Sequence, residues 1–175
     1  MESQPLDLHP YITSVTDFPV PGVDFKDVTP LLSNVAAFGW TIDAIAAAGG
    51  RVGATKVAGF DARGFLWAAP VAHRLGLPMV PIRKEGKLPR AVMTESYQGE
   101  YGAETVQLHC DAVDRGESVL LVDDVIATGG AMLAGCRLIE RSGARVAGCA
   151  AVIQLRGLGA ADRLSEYEVV SLIEY

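Results

Sequence analysis

The chain has 175 residues, of which 50% are hydrophobic and 21% charged, and its formal net charge is −6. That length holds one domain with a sizeable core, and the composition is that of a folded globular protein rather than a disordered one. The acidic balance argues against a nucleic-acid binder working through a broad basic surface; no apolar run is long enough to cross a membrane, and MESQPLDLHP lacks the basic and apolar regions of a signal peptide.

In chain order, a short amphipathic segment is expected from Leu6 to just before Phe18. DFPVPGVDFKDVTP, with three prolines, must be extended or turning. Ser33 and Asn34 are N-caps for an alanine-rich helix that runs to Ala48 and stops at Gly49-Gly50. KVAGF reads as a strand, DARG as a turn and 65–75 as a helix, with MVPIR the next strand. ESYQGEYGAETVQLH reads as a hairpin or flexible arm bending near Gly99 and Gly102. A strand over 118–122 precedes a helix over 130–142, and RVAGCAAVIQL is continuous and apolar, as buried parallel strands are. Strands alternating with helices predict an α/β fold: a parallel sheet with flanking helices on both faces, one domain over residues 1–175, and ligands beyond the carboxyl ends of the strands. Cys110, Cys136 and Cys149 show no C-x-x-C spacing and have apolar neighbours in sequence. They read as buried reduced thiols, so no metal site of their own is expected and a cytoplasmic setting is.

Chemistry concentrates in VLLVDDVIATGGAM. Four aliphatic residues deliver Asp123 and Asp124 side by side, and two like charges at close range repel unless a cation or hydroxyl donors satisfy them. The small residues after them let backbone N–H groups close around an anion at a helix N-terminus, and Thr128 adds a hydroxyl. A phosphate cradle beside paired hydroxyl acceptors describes a site for a ribose 5-phosphate, with Mg2+ nearby. The alternative is a strand-end turn whose aspartates merely cap the helix. A basic run, Arg83, Lys84, Lys87 and Arg90 within IRKEGKLPR, would by itself be read as a solvated loop. No G-x-x-x-x-G-K-[ST] occurs, and GLGAAD lacks the third glycine of a dinucleotide fingerprint.

VLLVDDVIATGG resembles the phosphoribosyl pyrophosphate signature of the type I phosphoribosyltransferases. DFPVPGVDFKDVTPLL, GFDARGFLWAAPVAHRLGLPMVPIRKEGKLP and ESYQGEYGAETVQLH, in that order, are similar to the adenine-specific family among them. The resemblance runs from Asp17 to the end. It implies conversion of adenine and phosphoribosyl pyrophosphate to AMP and pyrophosphate through a ribosyl cation-like state, with Mg2+ bound mainly through the substrate. It also implies a homodimer, a flexible hairpin lid and a small N-terminal hood over the base. By position, Ala127, Thr128, Gly129, Gly130 and Ala131 would cradle the 5-phosphate, and Asp123 and Asp124 would bind the ribose hydroxyls. Arg63, with the N–H groups of Ala62 and Gly64, would meet pyrophosphate across a non-proline cis peptide between Asp61 and Ala62. Arg83, Lys84 and Lys87 would neutralise it. Glu100 would handle a proton at N7 of the base and Tyr101 would shield C1′. Backbone groups between Val23 and Lys26 would hold adenine, with Leu155 against its face and Phe25 in the core below.

The chain departs from the family pattern at Lys26, where arginine is common, and at Ala62, where a hydroxyl or acid is frequent. Glu85 dilutes the basic cluster. A transferase for another purine, or a phosphoribosyl pyrophosphate-sensing regulator without turnover, shares most of these motifs. The lid sequence and the basic cluster favour an enzyme, and the short N-terminal region leaves no room for a DNA-binding domain.

Overall fold

The computed structural model describes residues 6–99 and 102–175; Glu100 and Tyr101, the two expected lid residues, lie outside them. The chain opens with a 3-10 turn, His9–Tyr11, and two short strands, β1 (Thr13–Thr16) and β2 (Asp24–Asp27), which pair antiparallel as a sheet of their own. The amphipathic segment expected before Phe18 is therefore a 3-10 turn followed by a short strand. Its apolar residues do not cover one helical face: Leu8 and Ile12 drop into the core while Val15 stays exposed. Next come a helical turn, α1 (Thr29–Leu32), and the long α2 (Val35–Arg51). Asn34 caps α2, its side chain accepting from the Ala37 N–H at 2.9 Å.

Gly49 and Gly50 do not stop α2, which runs through both. Gly49 is a contact residue: a Cβ there would lie 2.9 Å from Leu120 Cδ2 and 3.2 Å from Leu75 Cδ1. The helix can approach the sheet this closely only without a side chain at that point.

β3 (Lys56–Phe60), α3 (Phe65–Leu75) and β4 (Met79–Lys84) follow, then the hairpin β5 (Val92–Gly99) and β6 (Gly102–His109). The last part comprises β7 (Ser118–Ile126), α4 (Gly130–Arg141), β8 (Arg145–Gln154), the short α5 (Ala160–Arg163) and β9 (Val169–Glu174). Within the described residues one seven-stranded sheet has the order β5-β6-β4-β3-β7-β8-β9. Its central pairs are parallel, and the hairpin joins β4 antiparallel as an edge. One apolar layer packs α2 and α3 against the sheet through Ile45, Trp67, Val71 and Leu120, and the other packs α4 through Met132, Leu138, Ile139 and Leu121. Trp67 is fully buried and donates from Nε1 to Thr41 Oγ1 at 3.0 Å, which locks α3 onto α2.

The crossover from β3 leads through α3 to β4, and that from β7 leads through α4 to β8, so the chain diverges between β3 and β7. Such a divergence opens a crevice at the carboxyl ends of the strands. Here β7 outlasts its neighbour: β3 pairs with it only as far as Val122, while β8 follows it to Ile126. The aspartates therefore lie within a strand, three and two residues short of its end, rather than after it.

Candidate active site

A cavity of about 590 Å³ fills this crevice. Its floor is Asp123, Asp124 and residues 125–131; its walls are Ala62 and Arg63 after β3, Arg83, Lys84 and Lys87 at the end of β4, and Tyr97, Gly99 and Glu104 of the hairpin. The turn residues Ala127, Thr128, Gly129, Gly130 and Ala131 all line it, leading into α4. Gly130 is the closest approach of turn and hairpin, since a Cβ there would sit 2.8 Å from the Gln98 carbonyl and 2.9 Å from Tyr97 Cδ2. The turn is braced from behind by α5: Arg163 Nη1 donates to the Thr128 carbonyl at 2.9 Å, and Gly129 packs against Ala160. The GLGAAD segment thus supports the cradle and has no dinucleotide role in this geometry.

Asp123 Oδ1 accepts from the Asp124 N–H at 2.9 Å. Burial, then the adjacent Asp124, push the Asp123 carboxyl well above the usual carboxylate range. Asp124 is 3% exposed; burial raises its carboxyl too, opposed by the Arg63 guanidinium. Arg63 Nε lies 2.8 Å from Asp124 Oδ2, yet that oxygen receives no directed hydrogen bond. The contact is charge compensation without alignment, and it leaves a lone pair for another donor. Two raised carboxyls beside an anion cradle suit ribose hydroxyls, which bring donors without bringing charge.

Among the described residues expected to meet the sugar and its phosphates, Gly64 does not line the cavity. A Cβ on it would be 2.7 Å from Asp123 Oδ1 and 2.7 Å from the Phe60 carbonyl, so it seats the aspartate from behind. The Asp61–Ala62 peptide is cis, as the resemblance implies. Arg83 Nε pairs with Asp61 Oδ2 at 3.0 Å and Lys84 Nζ lies 3.4 Å from Glu104 Oε2. Arg90 leaves the basic cluster and pairs with Asp111 at the surface.

A second cavity, of about 260 Å³, adjoins the first and shares Arg63, Val125 and Ala127 with it. Phe18, Val23, Asp24, Phe25, Lys26, Val125 and Leu155 line it. Phe25 is thus a wall of this pocket and not core: it packs edge-on against Phe18, with ring centroids 5.2 Å apart, and lies 5.0 Å from the Arg63 guanidinium carbon. Lys26 turns its ammonium away, to Ser14 Oγ at 2.6 Å, Asp24 Oδ2 at 2.8 Å and the Tyr175 ring at 4.3 Å. Its side chain thereby ties β2 to β1 and to the chain's last residue.

Sequence reasoning missed Tyr97 and Glu104. A hairpin bending between Gly99 and Gly102 pairs residue 97 with 104, so their shared face follows from register. Of the cysteines, Cys136 and Cys149 are buried with sulfurs 3.5 Å apart and unbonded, but Cys110 is exposed. It follows the last residue of β6, where the chain leaves the sheet.

The family model described as phosphoribosyl transferase domain matches residues 39–174. The adenine phosphoribosyltransferase of Frankia casuarinae is 51% identical over 95% of this chain and 88% of its own. The chain belongs to the adenine phosphoribosyltransferase family. The crystal structure of adenine phosphoribosyltransferase from Rhodothermus marinus superposes with a TM-score of 0.90 at 43% identity, covering 96% of each chain. That from Saccharomyces cerevisiae, complexed with an imino-altritol bisphosphate and adenine, has a TM-score of 0.87 at 32% identity and covers 94% of this chain and 96% of its own.

Proposed function

We propose that the chain transfers the ribose 5-phosphate group of phosphoribosyl pyrophosphate to N9 of adenine, giving AMP and pyrophosphate, as a purine-salvage enzyme. The observation that carries this reading is the junction of two cavities at Arg63: one lined by Arg63, Arg83, Lys84 and Lys87, the other by Phe18, Phe25 and aliphatic side chains. A phosphorylated sugar in the first would present its C1′ toward a base in the second. Residues 127–131 hold the 5-phosphate through N–H groups and the N-terminus of α4. Asp123 and Asp124 accept from the ribose hydroxyls and fix the ring, and Arg63, Arg83, Lys84 and Lys87 take the charge of the departing pyrophosphate. Phe25 and Leu155 sandwich the base, which reads backbone groups between Val23 and Lys26. Glu100 handles the proton at N7 and Tyr101 shields C1′ from water.

Mg2+ belongs to the same proposal. The donors fit it as a shared ion only: among the described residues no three acidic, histidine or cysteine side chains converge, whereas Asp123 and Asp124 offer hard oxygens beside the sugar. A bound Mg2+ would take most of its oxygens from the substrate and neutralise pyrophosphate charge. A homodimer is proposed as well, supported by the exposed apolar Val15, Phe18 and Leu66 beside the base pocket. A cytoplasmic location belongs to the same proposal, supported by the three free thiols.

The test is a steady-state assay with phosphoribosyl pyrophosphate, Mg2+ and adenine, hypoxanthine, guanine, xanthine or orotate. Adenine is expected to give the highest kcat/KM. A higher value for any other base would reject adenine as the substrate, and no turnover with any of them would favour a regulator.

A further inference from the structure

Three cations of the larger cavity, Arg63, Arg83 and Lys84, are each paired with a carboxylate. Lys84 leaves the end of β4 with its Nζ 3.4 Å from Glu104 Oε2 on the hairpin. Glu104 is itself held: the Tyr97 hydroxyl, directly across the hairpin, donates to Oε2 at 3.0 Å. The other carboxylate oxygen lies where a side chain at residue 99 would be, 2.6 Å from the Cβ that Gly99 lacks. Burial, followed by the bond to Glu104, raises Tyr97, so its hydroxyl remains a donor across the physiological range. A fixed carboxylate on the wall of a cavity built for a polyanion repels that ligand. Nothing in the transfer reaction uses it.

We propose that Glu104 is an internal competitor for Lys84, a positioning residue that holds the lysine in the empty site and lowers the affinity of the cavity for pyrophosphate and for the pyrophosphate end of the substrate. This rests on reading the cavity as a pyrophosphate site. The exchange is easy because Lys84 is 62% exposed and Glu104 33%, so the pair is well screened. An arriving pyrophosphate carries several charges and outbids a single carboxylate. Glu104 then keeps the Tyr97 hydroxyl, so it is not left unpaired when the lysine departs. On departure of pyrophosphate the lysine returns to Glu104, which offsets part of the cost of uncovering it. The carboxylate therefore trades ground-state affinity for release of product.

The experiment is calorimetric titration of the full chain with inorganic pyrophosphate and Mg2+, paired with steady-state kinetics, for wild type, Glu104→Gln, Glu104→Asp and Lys84→Ala. Glutamine keeps the size and the acceptor for Tyr97 while removing the charge. Glu104→Gln is expected to bind pyrophosphate roughly two- to five-fold tighter, with KM for phosphoribosyl pyrophosphate falling by the same factor and KM for adenine unchanged. Glu104→Asp, which keeps the charge, should stay within two-fold of wild type. In the Lys84→Ala background the gain should vanish, since the competitor then has nothing to hold. Equal or weaker pyrophosphate binding by Glu104→Gln would overturn the proposal, as would a gain that persists without Lys84. Failure of wild type to bind pyrophosphate at all would overturn the reading of the cavity, and the inference with it.

Discussion

Arg63 and Asp124 face each other across the mouth of the crevice, Nε to Oδ2 at 2.8 Å, while the same guanidinium lies 5.0 Å from the Phe25 ring. One side chain thus touches the floor of the larger cavity and the wall of the smaller one. The planar guanidinium does both at once because its charge is delocalised over a flat face, a geometry that a compact ammonium does not reproduce. Arg63→Ala is expected to lower kcat/KM by roughly 100- to 1,000-fold, in the range seen for loss of one charge-stabilising donor. Arg63→Lys should recover less than a tenth of that loss, as kcat/KM for both substrates will show.

Asp123→Asn separates function from stability. Burial, then Asp124, raise the Asp123 carboxyl. An acid whose folded value is raised favours folding in its protonated form, so its advantage is full below the ordinary carboxylate range and is lost as pH rises through the raised value. Asparagine carries no such penalty. The variant should match wild type near pH 4 and exceed it in stability at pH 7, while losing most of its turnover. Denaturant melts at both pH values check the sign: a variant less stable than wild type at neutral pH would show that the carboxylate supports the fold.

Gly64→Ala tests the seat of that aspartate. The added methyl would meet Asp123 Oδ1 and the Phe60 carbonyl at 2.7 Å each, and neither the carbonyl nor the strand behind it can yield cheaply. A stability loss of about 1–3 kcal/mol is expected, with kcat/KM for phosphoribosyl pyrophosphate reduced further than the folded fraction alone explains. Thermal melts run beside the assay separate the two effects.

The glycine pair in α2 makes a contrast within one helix. Gly50 is helical, with nothing within 4 Å of an added Cβ. Gly50→Ala should therefore stabilise by about 0.5–1 kcal/mol through the entropy of the unfolded chain. Gly49→Ala gains the same entropy but drives a methyl against Leu120, and should be neutral or destabilising. Chemical denaturation of both variants at constant m-value reads the difference.

Much of this protein was legible before any coordinates. Aliphatic runs ending at Asp123-Asp124, small residues leading into a helix, and strands alternating with helices are local patterns, and local patterns determine where β7, α4, β3 and α3 form. They also point to the sugar-phosphate chemistry, because an anion cradle beside two hydroxyl acceptors is written in contiguous residues. What the tertiary structure alone decided are relations between segments far apart in the chain. Gly49 reads as a helix stop by propensity, but the sheet selects it as a point of close approach. Phe25 reads as core because it is large and apolar, yet the two-stranded hood lifts it to the wall of the base pocket. The Lys26 ammonium is held where β1, β2 and the last residue meet, because Ser14, Asp24 and Tyr175 converge on it. The extension of β7 past Val122 depends on β8 continuing beside it after β3 has ended. Pairings such as Arg63 with Asp124 and Lys84 with Glu104 join residues brought together only by strand order. Charge acts through space with no regard to position along the chain, so a linear pattern shows which residues carry it and only the packed sheet shows which of them meet.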